Sequence, residues 1–311
     1  MSALDRLYRI SPMPELFMRW GYYKVFKPLF RNGYRHTPKT EGVINQSVIS
    51  HVKLDDLLDK IRDFGVQKGD LVIIHSSAKG LSDLECNPND LLDALIAMVG
   101  PDGTIAMPAF PDEERLKEQD GIKIYDPQRS VAWTGMMPNL LLRKKGAVRS
   151  CFPYNPLVSI GPKAADMMKD NINVEYAHGD SSCWGYCLQN HAKILYLGLP
   201  AFHSFTILHT IEDFNFGHWL PNEWFEEKQY YVIIEGEIVP KTIKIRAHRW
   251  SQYLAEKHTE QKYIAAGLVK TGLIGNIELR YIDDSYNFID YIISNWDKMN
   301  CYYLPKKYKK L

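Results

Sequence analysis

The run Lys193-Ile194-Leu195-Tyr196-Leu197, closed by Gly198-Leu199-Pro200, constrains this chain more than any other stretch. It is short, apolar and bounded by Gly and Pro, which reads as a buried strand. Residues 204–213, Ser-Phe-Thr-Ile-Leu-His-Thr-Ile-Glu-Asp, follow at once. They predict a helix capped by Ser204 or Thr206 and running to Gly217. On it Thr206, His209 and Glu212 are spaced by three and share one face. His209 then sits near the positive end of the helix dipole, which disfavours a cationic ring. Glu212 is placed to accept from one ring nitrogen and leave the other free to take a proton. Most lone His–Glu pairs at this spacing are surface pairs. This one follows a buried strand, where α/β proteins keep their chemistry.

The 311 residues suffice for one large domain or two smaller ones, and 45% apolar content supports a sizeable core. A formal charge of +1 supplies no global field for nucleic acid, so no nucleic-acid partner is expected. Five scattered cysteines and no signal peptide point to a reducing cytoplasm rather than a disulfide framework. No apolar stretch is long enough to span a bilayer; even Leu91 to Val99 is interrupted by Asp93.

Residues 1–50 read as an extension and linker, and 51–311 as the main domain. Within 10–35, aromatic and aliphatic residues such as Phe17, Trp20 and Tyr23 mix with Arg19, Lys24 and Lys27. Such a segment either packs on the body or makes peripheral contact with an inner-membrane surface. Residues 36–50 are polar and linker-like. Leu54 to Phe64 is a helix closed by Gly65, and Gly69 to Ser77 a buried strand. Asn87 caps the next helix, Pro88 takes its first position and Gly100-Pro101 ends it. Thr104 to Pro108 is a second strand, which completes a βαβ unit.

Residues 111–132 read as a long charged loop, Thr134 to Lys145 as a helix, Arg149 to Pro153 as extended and Pro162 to Asp170 as a short helix. Gly179 to Gly185 reads as a small-residue loop. Tyr230–Ile234 and Ile238–Ile245 form a hairpin around Gly236. Arg249 to Ala266 is helical, Leu273 to Ile282 a last strand, Tyr286 to Trp296 a last helix, and the basic tail after Pro305 is solvated.

No Gly-x-Gly-x-x-Gly, no P-loop and no Gly-x-Ser-x-Gly elbow occurs. His178, Cys183, Cys187 and His191 would be the ligands of a metal site, but they lack structural-zinc spacing, and free cysteines are often small core residues. No metal is therefore expected. His75-Ser76-Ser77, at a strand end, offers hydroxyls and backbone N–H groups to a ligand, or is simply a capping turn.

Several of these pieces occur together, in order. They are Gly69-Asp70…His75-Ser76-Ser77, Val99 to Phe110, Thr134-Gly135, Arg149-Ser150…Pro153 and Gly161. They continue with Gly179…Ser181-Ser182…Trp184, Thr206-Ile207-Leu208-His209-Thr210-Ile211-Glu212 and Gly272 to Gly275. The ordered set resembles the aminoglycoside 3-N-acetyltransferase family, from about Leu54 to the last helix.

The resemblance implies an α/β/α sandwich with a central mixed sheet, to which this chain adds its aromatic N-terminal extension. It implies acetyl-CoA or another acyl-CoA as cosubstrate and the primary amine of an amino sugar as acceptor. It makes His209 the general base with Glu212 orienting it and Thr206 beside it. It assigns cofactor contacts to His75, Ser76, Ser77, Pro108, Phe110, Ser181 and Ser182.

Phe205, Phe152, Pro156, Cys183 and Ala109 depart from the family's pattern. That drift, with the N-terminal segment, favours a nucleotide-linked amino sugar for surface polysaccharide as acceptor. The alternative is an aminoglycoside 3-N-acetyltransferase conferring resistance. For the latter, the acidic runs at Asp112-Glu113-Glu114 and Glu118-Gln119-Asp120 are the candidate acidic cleft. A zinc-dependent hydrolase or deaminase and a silent membrane-associated binding protein are the readings from other classes. A homodimer is compatible with the sequence.

Overall fold

The structure, a computed structural model, describes residues 3–26, 51–214 and 219–308. The linker at 36–50, the second half of the aromatic segment and the expected helix end at Gly217 lie outside the described residues. The strands are β1 (Leu71–Ser76), β2 (Thr104–Pro108), β3 (Lys117–Gln119), β4 (Ile122–Tyr125), β5 (Val148–Arg149), β6 (Leu157–Ile160) and β7 (Lys193–Leu197). They continue with β8 (Phe225–Ile234), β9 (Glu237–Arg246), β10 (Lys270–Ile274) and β11 (Ile277–Ile282). The helices are α1 (Ala3–Ile10), α2 (Met13–Gly21), α3 (Leu54–Phe64), α4 (Pro88–Val99), α5 (Met136–Leu141) and α6 (Ala164–Met168). After them come α7 (Cys183–Gln189), α8 (His209–Asp213), α9 (Glu256–Ala265), α10 (Ser285–Ser294) and α11 (Trp296–Met299).

The expected buried strand, β7, lies near the middle of a seven-stranded mixed sheet of order β10-β11-β7-β1-β2-β6-β5. β1 runs parallel to both β7 and β2, and the flanking strands pair antiparallel. The continuous apolar character of β1, β2 and β7 has a direct cause: both faces of the sheet are covered. Ile73, Ala106, Ile194 and Tyr196 face one core, with α7 and α10. Val72, Ile105, Leu195 and Leu197 face the other, with α3 and α4. Leu57, Ile61 and Phe64 of α3 are buried, each such side chain contributing roughly 1.5–3 kcal/mol. Gly65 ends α3 at φ +116°, and Asn87 caps α4 by accepting from the N–H groups of Asn89 and Asp90, as the sequence predicts.

A second sheet was not expected. It has four strands, β3-β4-β8-β9, with its own small core around Tyr125, Phe152 and Tyr230. It recruits β3 and β4 from the segment read as a charged loop. Its spine is the expected hairpin, which turns through Glu235 and Gly236, both at positive φ.

Other boundaries differ for local reasons. Ser182 caps a helix, α7, where the sequence suggested a loop. The stretch Leu273 to Ile282 is a hairpin turning at Gly275 rather than one strand. The helix expected over 249–266 is a 3-10 turn, His248–Tyr253, followed by α9. Helices α5 and α6 are shorter than their patterns suggested, and β6 was missed.

The described part of the N-terminal segment packs on the body. Buried Glu15 accepts from the N–H groups of Lys257 (3.0 Å) and His258 (3.2 Å) in the first turn of α9. Arg19 bonds Glu256 and donates to the carbonyl of Ser251 at 3.3 Å. Ile10, Met13, Phe17 and Trp20 nevertheless remain exposed. Among the described residues no helix is long and apolar enough to cross a membrane.

Candidate active site

Three parallel strand ends organise the site. The chain leaves β1 towards β2 on one side and reaches β7 on the other. The carboxyl end of β1 is therefore where the strand order reverses, the position at which open α/β sheets bind ligands. The loops after β1 and β7 meet there with backbone against backbone. A Cβ placed on Gly80 would lie 1.7 Å from the carbonyl oxygen of Gly198, and Gly198 itself adopts φ +72°. After β7 the chain makes a short 3-10 turn, Thr206–Leu208, and enters α8 at His209. Neither turn carries a side-chain cap, so the expected capping role of Ser204 or Thr206 is not realised.

His209 Nδ1 lies 2.8 Å from Glu212 Oε1. Glu212 is fully buried, and both of its oxygens are hydrogen-bonded. Arg246 Nη1 donates to Oε1 at 3.0 Å, Tyr302 also donates to Oε1, and Trp224 Nε1 donates to Oε2 at 3.0 Å. Burial alone would raise this carboxyl, but the Arg246 guanidinium and the adjoining His209 hold it well below the usual carboxylate range. The same pairing raises Arg246 against its own burial. A fixed carboxylate on Nδ1 selects the tautomer that leaves His209 Nε2 free as an acceptor. The His209 side chain keeps 24% of its surface exposed and lines a small pocket with Tyr154, Asn155 and His178.

A second histidine stands beside the first. The rings of His178 and His209 are 5.0 Å apart. His178 is buried and fully partnered: Nδ1 lies 3.0 Å from Asp213 Oδ2 and Nε2 lies 3.2 Å from Asn155 Nδ2. Burial lowers its pKa, outweighing the opposing pull of Asp213. Asp213 also borders a recess lined by Asp170, Glu175, Asp180 and Ser181. An acidic hollow thus adjoins the His209 pocket and shares Asp213 with it.

The other expected residues divide. Ser76 lines a small recess with Leu81, Cys86 and Met136, and Ser181 lines the acidic hollow. Ser77 Oγ accepts from the N–H of Gly80, which ties down the turn. His75 is buried and stacked on Tyr196, ring centroids 4.7 Å apart. Ser182 spends its hydroxyl on Gly179 and on the first turn of α7. Pro108 accepts from Thr134 Oγ1 at 2.6 Å, and Phe110 packs edge-on to the exposed Trp133. Thr206 is buried in the turn before His209 and is absent from the residues lining its pocket.

Arg246, Trp224, Tyr302, His178 and Asp213 were not singled out for catalysis from the sequence. The cluster of His178, Cys183, Cys187 and His191 does not converge. His191 pairs with Asp284 at the surface, while burial pushes the Cys183 thiol up to about 12 and Cys187 well up. Among the described residues, no group of three or more metal-ligating side chains comes together. The acidic run at 112–114 is not a free cleft either: Glu113 is taken by Lys228 and Tyr230, and Asp112 by Arg115.

The family model for aminoglycoside 3-N-acetyltransferase matches residues 73–293, more than two thirds of the chain. The chain belongs to this family. Aminoglycoside N(3)-acetyltransferase IX of Micromonospora chalcea is 28% identical over 186 residues, covering 55% of this chain and 62% of that protein. Aminoglycoside N(3)-acetyltransferase III of Salmonella sp. is 30% identical over 169 residues, covering 50% and 58%. The chain thus spans about three fifths of the length of these curated relatives. The fold matches solved members of the family. AAC-IIIb in binary complex with CoASH superposes with TM-score 0.65 at 23% identity, over 82% of this chain and 99% of that one. AAC-VIa bound to sisomicin superposes with TM-score 0.65 at 24% identity, over 79% and 97%.

Proposed function

We propose that this chain transfers the acetyl group of acetyl-CoA to an amine of an aminoglycoside, with His209 as general base. The observation that carries the reading is the His209–Glu212 pair, its carboxylate fixed by Arg246, Tyr302 and Trp224, beside an acidic recess. An amine near neutral pH is mostly ammonium and cannot attack a thioester. The ammonium first gives one proton to solvent; His209 Nε2 takes a second as the neutral amine nitrogen bonds to the carbonyl carbon, then returns it to the sulfur as the C–S bond breaks, so that CoA leaves as the thiol. Glu212 keeps the ring in the correct tautomer and offsets the imidazolium charge. Arg246, Trp224 and Tyr302 hold that carboxylate ionised and in place. Family membership and the strand-order reversal at β1 support a CoA site at the loops carrying Ser76 and Ser77. His75 and Ser182, both engaged internally, support that cleft by packing and capping rather than by contact.

The recess supports a polycationic acceptor. It does so through Asp170, Asp180 and Asp213, the Glu175 carboxylate being paired with Lys244, and not through the runs picked out in the sequence. A nucleotide-linked amino sugar would need a cation for its diphosphate. The two cations lining the His209 pocket are already engaged, Arg246 by Glu212 and Lys244 by Glu175. The named relatives are aminoglycoside acetyltransferases. The polysaccharide reading therefore gives way to its alternative. Release of CoA, followed with a thiol reagent, tests this against aminoglycosides and nucleotide-linked amino sugars side by side. Turnover with aminoglycosides is expected; turnover confined to the sugar nucleotides would overturn the acceptor.

A further inference from the structure

Tyr154 lines the His209 pocket and takes no part in holding the His209–Glu212 pair. It lies in the connection between β5 and β6, flanked by Pro153 and Pro156. That connection is held stiffly. Asn155 adopts φ +51°, its carbonyl accepts from Trp184 Nε1 at 2.7 Å, and the carbonyl of Pro156 accepts from the N–H of Ala109 at 2.8 Å. The Tyr154 ring packs on the core of the second sheet. The side chain is half-buried, and among the described residues its hydroxyl is neither hydrogen-bonded nor sealed from solvent.

The hydroxyl sits in the field of the site's charges. Burial raises its pKa, Arg246 opposes the rise, and Glu113, Glu212 and Asp213 add to it, so the phenol keeps its proton. The other side-chain donors on this lining already have partners: Arg246 on Glu212, Lys244 on Glu175, and Asn155 with His178. The pocket is small, about 20 Å³, roughly room for one water-sized group. An amine that meets His209 there lies within reach of the rest of the lining.

We infer that the Tyr154 hydroxyl donates a hydrogen bond to the oxyanion of acetyl transfer. The inference rests on the acetyl-transfer reading above. As the amine nitrogen bonds to the thioester carbon, the carbonyl oxygen takes the electron pair and the negative charge. Nitrogen and oxygen are then on one carbon, so a donor facing the amine's pocket reaches the oxygen too. The hydrogen bond lasts until the pair returns to re-form the C=O bond and the C–S bond breaks; Tyr154 keeps its proton throughout. A free donor on a stiff loop needs no rearrangement as the charge develops. Two other roles fit less well. Holding the acceptor's ammonium falls to Asp213, a carboxylate on the same lining. Protonating the sulfur would call for an acidic phenol, and burial works against that.

Tyr154→Phe tests this in steady-state transfer from acetyl-CoA to an aminoglycoside, across the pH range of the parent chain's activity. A fall in kcat on the order of a hundredfold is expected. Both KM values should be unchanged, as for an interaction made only in the transition state, and the loss should be uniform across pH. The thermal midpoint should stay that of the parent chain, since no internal hydrogen bond is lost. His209→Ala is run alongside. With that variant impaired, parent-level kcat in Tyr154→Phe, a rise in KM alone, or a loss confined to one limb of the pH profile overturns this inference and leaves the transfer reading standing. No transfer by the parent chain, or full transfer by His209→Ala, overturns the transfer reading and this inference with it.

Discussion

At the scale of single residues, the site is one carboxylate held by four donors, and its parts fail differently. His209→Ala removes the base and one of the four donors to Glu212, leaving Arg246, Tyr302 and Trp224 on that carboxylate. Transfer is expected to drop on the order of a hundredfold or more, with CoA binding retained by titration. Glu212→Gln acts on both chemistry and stability, because it strands the buried Arg246 guanidinium; a loss of roughly 3–5 kcal/mol in urea unfolding is expected. Tyr302→Phe removes one charge-assisted hydrogen bond and is expected to lower stability by roughly 1.5–3 kcal/mol with the ring packing intact. His209 and Glu212 were legible in the sequence because a three-residue spacing is a local property. Arg246 and Tyr302 were not, because they reach Glu212 from 34 and 90 residues away through the hairpin and the C-terminal segment.

Among elements, punctuation decided what could be read. Strands β1, β2 and β7 and helices α3 and α4 carry unbroken apolar runs or clear caps, and all five follow their patterns. Strands β3 and β4 are short, and polar or only half-buried in part, so the pairing of β3 with β4 and of β4 with β8 leaves no periodic trace. The docking of α2 on α9 was equally silent, since it rests on charged contacts between residues far apart in the chain, Glu15 with the start of α9 and Arg19 with Glu256. Glu15 caps α9 from another element, adding its charge to the positive end of that helix's dipole. Glu15→Ala is expected to lower stability by roughly 1–2 kcal/mol. Limited proteolysis should then cut within residues 3–26 sooner than in the parent chain. An unchanged cleavage rate would mean that the aromatic contacts of α2 suffice.

Across the whole molecule, buried titratable groups make stability fall on the acid side. Burial holds His75 at about 3, below its ordinary value of about 6.5, so the folded state prefers the neutral ring. The stability it contributes is complete above about pH 6.5 and is lost as pH falls towards 3. His178, lowered by burial, adds in the same direction. Glu212, held below the ordinary carboxylate value, begins to withdraw its share only beneath about pH 4.3. Unfolding free energies from pH 7 to 3 should decline throughout, and His75→Phe, which can keep the stack on Tyr196, should flatten the upper part of that decline. The layered architecture was visible from the sequence, whereas the second sheet that brings Arg246 to Glu212 was seen only as its hairpin. The backbone contact between Gly80 and Gly198 carries a consequence for inheritance. Two loops from opposite sides of the strand-order reversal share one steric seam, so neither can be exchanged with a relative's alone. A chimera that swaps both should fold where a chimera that swaps one does not, and the two loops have to diversify as a single unit.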